Sequence, residues 1–120
     1  MALKPIDEKE VQELINNYKN TPVYLHIEVT SGVYASHNDD NVFNSGTFVR
    51  NIQVTYTEGT LKGGGNFEYR VGLKLDNSGW VYVTGLSHYT VEDGVFILHG
   101  IDHEGKLAAA LEISIDKLKE

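Results

Sequence analysis

Residues 23–30, "VYLHIEVT", decide the fold class of this chain. Apolar side chains occupy every second position, and polar or aromatic ones occupy the positions between. A period of two puts these two sets on opposite faces of a β-strand. The stretch therefore predicts a half-buried strand whose polar face carries Tyr24, His26 and Glu28.

Upstream of this strand the period changes to that of a helix. Asp7 is a good N-cap residue, Glu10 follows three positions later, and apolar residues then recur at helical spacing. Pro22 disfavours helical backbone at the residue before it. We predict a helix over residues 7–19 that lays one apolar stripe on the rest of the protein.

Downstream, short alternating segments recur at roughly 10-residue spacing with turn signals between them, which is typical of antiparallel β structure. "TEGT" at 57–60 is interpreted as one of these turns. Residues 107–115 alternate cleanly and favour a strand, although a helix also fits them. We predict a single α+β domain over residues 1–120, mainly β: the N-terminal helix packs on a twisted or barrel-like antiparallel sheet of about six or seven strands within 23–115.

Composition excludes several classes of function. The sequence has no cysteine, which removes disulfides, thiolate metal sites and cysteine nucleophiles. A formal charge of −7 disfavours nucleic-acid partners and anionic membranes. Charges stand where a signal peptide needs its apolar run, and no segment approaches the length of a membrane span. We expect a cytoplasmic protein that binds neither nucleic acid nor membrane.

The segment "YASHNDDNVFNSG" at 34–46 is chemically crowded. An EF-hand register starting at Asp39 fails, because Phe43 and Arg50 fall where oxygen ligands belong. Asn, Asp and Ser also serve turns through bonds to their own backbone, so we favour a solvated loop over a metal site. His37 stays a candidate ligand-binding residue.

A rival hypothesis makes the protein a small metal-dependent hydrolase or lyase. His37 would bind the metal with Asp39 or Asp40 and one of His99 or His103, and a metal-bound water would attack the substrate. The two later histidines are expected to straddle a hairpin turn, which makes them a weak pair.

Other catalytic motifs are absent or incomplete. "GIDHEGKL" has the glycines and lysine of a phosphate-binding loop, but Leu107 stands where a serine or threonine must hold magnesium. No G-x-S-x-G motif is present, and Ser36 beside His37 is not a triad. We predict no cofactor.

The polar faces of the sheet are the remaining candidate. Glu68, Arg70 and Lys74 share one face of a later strand, and if it coincides with the polar face of 23–30 a binding surface results. The solvated side of an antiparallel sheet is the alternative. A half-buried Arg50 would need a carboxylate or a ligand as partner. The predicted ligand-binding residues are His26, Glu28, His37, Arg50, Arg70 and Trp80.

Four segments, "YLHIEVTSGVYASHNDDNVFNSGTFVRN", "YRVGLK", "GWVYVTGL" and "DHEGKLAAAL", resemble the YojF-like family of small uncharacterised proteins of Gram-positive bacteria. The resemblance brings no assigned catalytic or binding residue. It implies an accessory role beside a deacetylase of the bacillithiol pathway. Our leading hypothesis is a non-catalytic homodimer that binds a small molecule or a protein partner such as that deacetylase.

Overall fold

A computed structural model of the chain describes residues 3–31, 45–64 and 67–119. Its helix, α1, spans Glu8–Asn17, within the predicted 7–19. The Asp7 carboxylate caps it by accepting a hydrogen bond from the Glu10 N–H at 3.2 Å. Val11 and Ile15 are buried on one side of the helix. Across the described residues, no helix is long and apolar enough to cross a membrane.

The described residues contain strands β1 to β9, all paired antiparallel. Their bounds are Lys4–Pro5, Val23–Ser31, Ser45–Val54, Tyr56–Gly64, Phe67–Leu75, Trp80–Leu86, His88–Glu92, Val95–Ile101 and Leu107–Ser114. A six-stranded sheet has the order β1-β7-β8-β9-β2-β3, and a three-stranded sheet has the order β4-β5-β6. The predicted mainly-β α+β class is confirmed, and the last segment is a strand.

One hydrophobic core lies between the inner faces of the two sheets and α1. Its largest fully buried side chains come from all three layers: Tyr56, Phe96, Ile15, Leu25, Leu73, Leu86, Leu98, Leu111 and Ile113. The Tyr56 hydroxyl donates to the Ile15 carbonyl at 2.5 Å, so the one polar atom of that side chain is satisfied inside the core. Each sheet turns its other face away from this core.

The turn predicted at 57–60 is wrong, because these residues lie inside β4. Gly59 is required there by packing: a Cβ on it would lie 2.4 Å from Cγ2 of Ile15. The Gln12 side chain then covers the strand edge, donating to the Gly59 carbonyl and accepting from the Leu61 N–H, both at 2.9 Å. The helix therefore blocks the open edge of the three-stranded sheet.

The two sheets approach each other most closely where β6 passes β8. A Cβ on Gly100 would lie 2.1 Å from the Gly85 carbonyl oxygen and 3.0 Å from Cβ of Ala109. Only glycine permits this backbone approach. The junction fixes how the two outer faces are oriented about their shared core.

Candidate functional site

The predicted ligand-binding residues lie on two separate surfaces. His26, Glu28 and Arg50 lie on the outer side of the six-stranded sheet, in β2 and β3. Arg70 and Trp80 lie on the three-stranded sheet, in β5 and β6. The single combined polar face that the sequence suggested is therefore not formed.

Three of the predicted residues lie outside the described part of the chain. They are His37, Asp39 and Asp40, from the crowded segment at 34–46. The solvated-loop interpretation and the rival metal site both depend on them, and both stay predictions.

A β-bulge positions Arg50 beside His26. Leu25 pairs with Ile52 and Ile27 pairs with Val49, so two residues of β3, Arg50 and its neighbour Asn51, oppose the single His26. Asn51 has φ of 55°, in the left-handed region that Asn tolerates better than most residues. The bulge explains why "RN" interrupts an otherwise regular strand.

Arg50, His26 and Glu28 form a line of polar contacts on this surface, which we call the β2–β3 face. Nη1 of Arg50 lies 3.4 Å from Nδ1 of His26, and Nε2 of that ring lies 3.7 Å from a Glu28 carboxylate oxygen. Because a guanidinium only donates, Nδ1 accepts and the ring proton of neutral His26 sits on Nε2, toward Glu28. Phe48 contacts the ring edge-on, with centroids 5.1 Å apart.

Arg50 departs from the environment predicted for it. The residue is exposed rather than half-buried, and neither of the two acceptors that the described residues supply is a carboxylate. Besides His26, it donates through Nη2 to the backbone carbonyl of Lys119. An imidazole nitrogen and a backbone carbonyl are weaker acceptors for a guanidinium than a carboxylate is.

On the three-stranded sheet, an aromatic pair and two cations form a second surface, the β4–β6 face. Trp80 and Tyr82 stack with an interplanar angle of 9° and centroids 5.5 Å apart, yet they remain 50% and 63% exposed. Lys62 and Arg70 are cross-strand neighbours and both are exposed. All four side chains line a depression of about 240 Å³.

The β4–β6 face is shaped by a glycine and extends beyond this depression. The Tyr82 ring lies against Gly72, where a Cβ would come within 2.8 Å of Cε1. A second depression of about 430 Å³ shares Lys62 and Arg70 with the first. Among the described residues, no carboxylate lies within ion-pair distance of either cation. Positive charge and ring surface are therefore available together.

The histidines of the rival hypothesis have other neighbours. His99 pairs across β7 and β8 with His88, and its Nε2 lies 3.2 Å from the Thr90 hydroxyl. Burial, followed by the nearby His88, lowers the pKa of His99. His103 is 92% exposed in the turn after β8. The described residues hold no group of three or more metal-ligating side chains.

Sequence reasoning missed Lys62, Asn51 and Gln12 as organising residues. The register could have revealed Lys62, because the antiparallel pairing of the consecutive strands β4 and β5 brings it opposite Arg70. No local sequence pattern predicts that the Gln12 amide covers a strand edge. Asn51 was visible only as a polar residue in mid-strand.

The architecture and these two surfaces define a small, mainly-β α+β protein with polar side chains on the outer faces of two antiparallel sheets. A model of the protein family of unknown function DUF1806 matches residues 5–117, and the chain belongs to this family. It is 40% identical over 113 residues to an uncharacterised protein, YojF, of Bacillus subtilis strain 168, covering 93% of this chain and 95% of the relative. It also matches a crystal structure of Bacillus subtilis YojF, with a TM-score of 0.79, 36% identity and full coverage of both chains. The resemblance to YojF-like proteins is thereby confirmed.

Proposed function

We propose that this protein is a non-catalytic binding domain that takes a small, ring-bearing organic anion on the β4–β6 face. One observation carries the proposal: the stacked, exposed pair of Trp80 and Tyr82 lies beside Lys62 and Arg70, which have no carboxylate partner among the described residues.

The aromatic pair supplies the apolar part of the site. Large aromatic side chains contribute the most binding free energy when a ligand buries them, and Trp80 and Tyr82 have half or more of their surface left to bury. A ring of the ligand would stack on this pair, and Gly72 beneath Tyr82 keeps the platform close to the sheet.

The cations supply the polar part. Lys62 and Arg70 provide ammonium and guanidinium donors on adjacent strands, which suits a carboxylate or phosphate group. Thr60 adds a hydroxyl to the same depression. The residues lining it supply stacking surfaces, charge and hydrogen bonds, and include neither a histidine nor a carboxylate to act as a general base.

The surrounding charge favours a small ligand over a polymer. Glu68 shares a face with Arg70, and Glu58 pairs across strands with Lys74, so acidic side chains border the site. Together with the formal charge of −7, they would repel the successive phosphates of a nucleic acid. A depression of about 240 Å³ also suits a ligand of modest size.

Trp80 makes the proposal directly testable, because it is the single tryptophan of the sequence. Fluorescence is followed while glucuronate, AMP and bacillithiol are titrated in turn. We expect at least one of them to quench or shift the emission with a Kd between about 10 µM and 1 mM. An absence of response to all three probes overturns the proposal.

Two substitutions distinguish binding at a specific site from a general effect of the protein's charge on affinity. Arg70→Gln should weaken the responding probe about tenfold or more, since hydrogen bonds to charged groups contribute more than neutral ones. Lys9→Gln, which removes an equally exposed cation from α1, should leave the affinity unchanged. Equal losses in both variants contradict a specific role for Arg70.

A homodimer, a deacetylase partner, a role in bacillithiol metabolism and a cytoplasmic location stay predictions. Native mass spectrometry of the untagged protein from its own host addresses the first three. A dimer that carries bacillithiol or the deacetylase supports them, whereas a clean monomer removes the homodimer and both stable associations.

A further inference from the structure

Residues 115–119, which follow β9, cross the outer side of β2 and reach β3; we call them the C-terminal clasp. Ser114, the last residue of β9, pairs across strands with Tyr24, and its hydroxyl donates to the Asp116 carbonyl at 2.7 Å. The Lys117 ammonium then lies 5.9 Å from the centroid of the Tyr24 ring. The clasp therefore lies across the β2–β3 face.

The bulge of β3 holds the clasp. Asn51 donates through Nδ2 to the Leu118 carbonyl at 2.9 Å, and its Oδ1 accepts from the Leu118 N–H at 2.8 Å. The Asn51 side-chain amide thus makes the two hydrogen bonds to the Leu118 backbone that a neighbouring strand would otherwise make. Arg50 adds its bond to the Lys119 carbonyl. Both residues that hold the clasp are the bulge residues.

Little else anchors the clasp. Leu118 is its only half-buried residue, and the other four are exposed. Segments with few buried apolar contacts open at a low free-energy cost relative to the core. The clasp is therefore suited to open while the sheet beneath it stays folded.

Opening would free a guanidinium that has no carboxylate partner in the described part of the chain. Among the described residues, no carboxylate lies within 4.0 Å of Arg50, and the two acceptors it uses are a neutral imidazole and a carbonyl. A carboxylate is a stronger acceptor than the Lys119 carbonyl. Next to Arg50 on the same face, Phe48 is 64% exposed and offers an apolar contact.

We propose that Arg50 and Phe48 form a second binding site, for a small apolar monocarboxylate, which the C-terminal clasp covers. The ligand's carboxylate replaces the Lys119 carbonyl on Arg50, and its apolar body lies on Phe48. Glu28, which pairs across strands with Phe48, disfavours ligands with further negative charge. Only molecules with an open clasp bind the ligand. The apparent Kd is therefore the intrinsic Kd divided by the fraction of molecules in which the clasp is open.

Asn51→Gly is the variant that opens the clasp with least damage, because glycine accepts the positive φ while both bonds to Leu118 are lost. We expect faster hydrogen exchange at the Leu118 amide, measured by NMR. Benzoate, titrated in the same spectra, should bind about fivefold or more tightly to the variant than to the original protein.

Two controls define the site. The readout is the benzoate-induced shift at the amides of Phe48 and Leu118. Benzamide, the uncharged counterpart of benzoate, should not produce it, and Arg50→Gln added to Asn51→Gly should abolish it. If Leu118 exchanges faster but benzoate binds no better, the site does not exist. Unchanged exchange at Leu118 means that Asn51 does not hold the clasp, and this also overturns the proposal. Arg70→Gln should leave the benzoate shifts at Phe48 and Leu118 unchanged, which separates this site from the β4–β6 face.

Discussion

The polar side chains on the outer faces of the two sheets differ in whether they contact partners within the protein. On the β2–β3 face, His26 contacts both Arg50 and Glu28, and the chain's own clasp accepts hydrogen bonds from both bulge residues. On the β4–β6 face, Lys62 and Arg70 have no carboxylate partner among the described residues, and the aromatic pair beside them is exposed.

The difference follows from the cross-strand neighbours of each set, since β2 and β5 are both paired on two sides. β2 is an inner strand of the six-stranded sheet, so its outward side chains have neighbours on both β9 and β3. On β5, the outward Arg70 is paired with another cation, Lys62 of β4, rather than with a residue that accepts its hydrogen bonds. We therefore expect substitutions on the β2–β3 face to cost stability, and those on the β4–β6 face to cost binding.

The largest effect is expected at the junction on which both faces depend. Gly100→Ala places a methyl group against the Gly85 carbonyl and should destabilise the protein by about 3 kcal/mol through overpacking. Denaturant unfolding followed by circular dichroism measures this loss. Gly94→Ala is the matched control: its Cβ meets nothing, so only the strain of φ 79° remains, about 1 kcal/mol. Equal losses in the two variants contradict a steric junction.

The next effect separates backbone strain from hydrogen bonding on the β2–β3 face. Asn51→Ala loses both bonds to Leu118 and replaces Asn, which tolerates left-handed backbone, by a residue that tolerates it less, so we expect a loss of about 2 kcal/mol in the free energy of unfolding. Asn51→Gly loses the bonds alone and should cost about 1 kcal/mol. A glycine variant as unstable as the alanine variant would show that the bulge does not depend on the left-handed backbone.

Much of this fold could be predicted from the sequence, because local patterns are strong along most of it. Alternation at 23–30 and 107–115 predicted strands that are present, and the cap at Asp7 predicted the start of the helix. "TEGT" misled because glycine was interpreted as a turn former, whereas Gly59 makes room for Ile15. The division of the strands between two sheets depends on contacts distant in sequence, which periodicity does not encode.

The candidate sites were predictable only one strand at a time. His26 and Glu28 were correctly placed on one face of β2, since alternation determines that much. Which other strands lie beside them depends on sheet order. Arg70 and Trp80 were therefore grouped with residues from which the core separates them. The bond between Asn51 and Leu118 spans 67 positions and has no sequence signature.

Acidification should weaken the six-stranded sheet before it affects the β4–β6 face. The lowered pKa of His99 in the folded protein contributes stability that is present above its ordinary value of about 6.5 and is lost as the pH falls through the lower value. Thermal unfolding should show a falling midpoint over this range. His99→Gln should flatten the slope, and His103→Gln, at a 92% exposed side chain, should not. Identical slopes in both variants contradict the assignment.

The smallest effect on stability is expected on the β4–β6 face, where the comparison is tested most sharply. Arg70 and Tyr82 are exposed, and their removal leaves no buried polar group behind. Arg70→Gln should therefore change the free energy of unfolding by less than about 0.5 kcal/mol, although it weakens the ligand response. Tyr82→Ala is the stricter test, because it uncovers Gly72 and should cost slightly more. A cation that serves binding contributes little to the folding of the free protein. If Arg70→Gln destabilises the protein as much as Asn51→Gly does, the side chains of the β4–β6 face therefore stabilise the fold and are not available for a ligand.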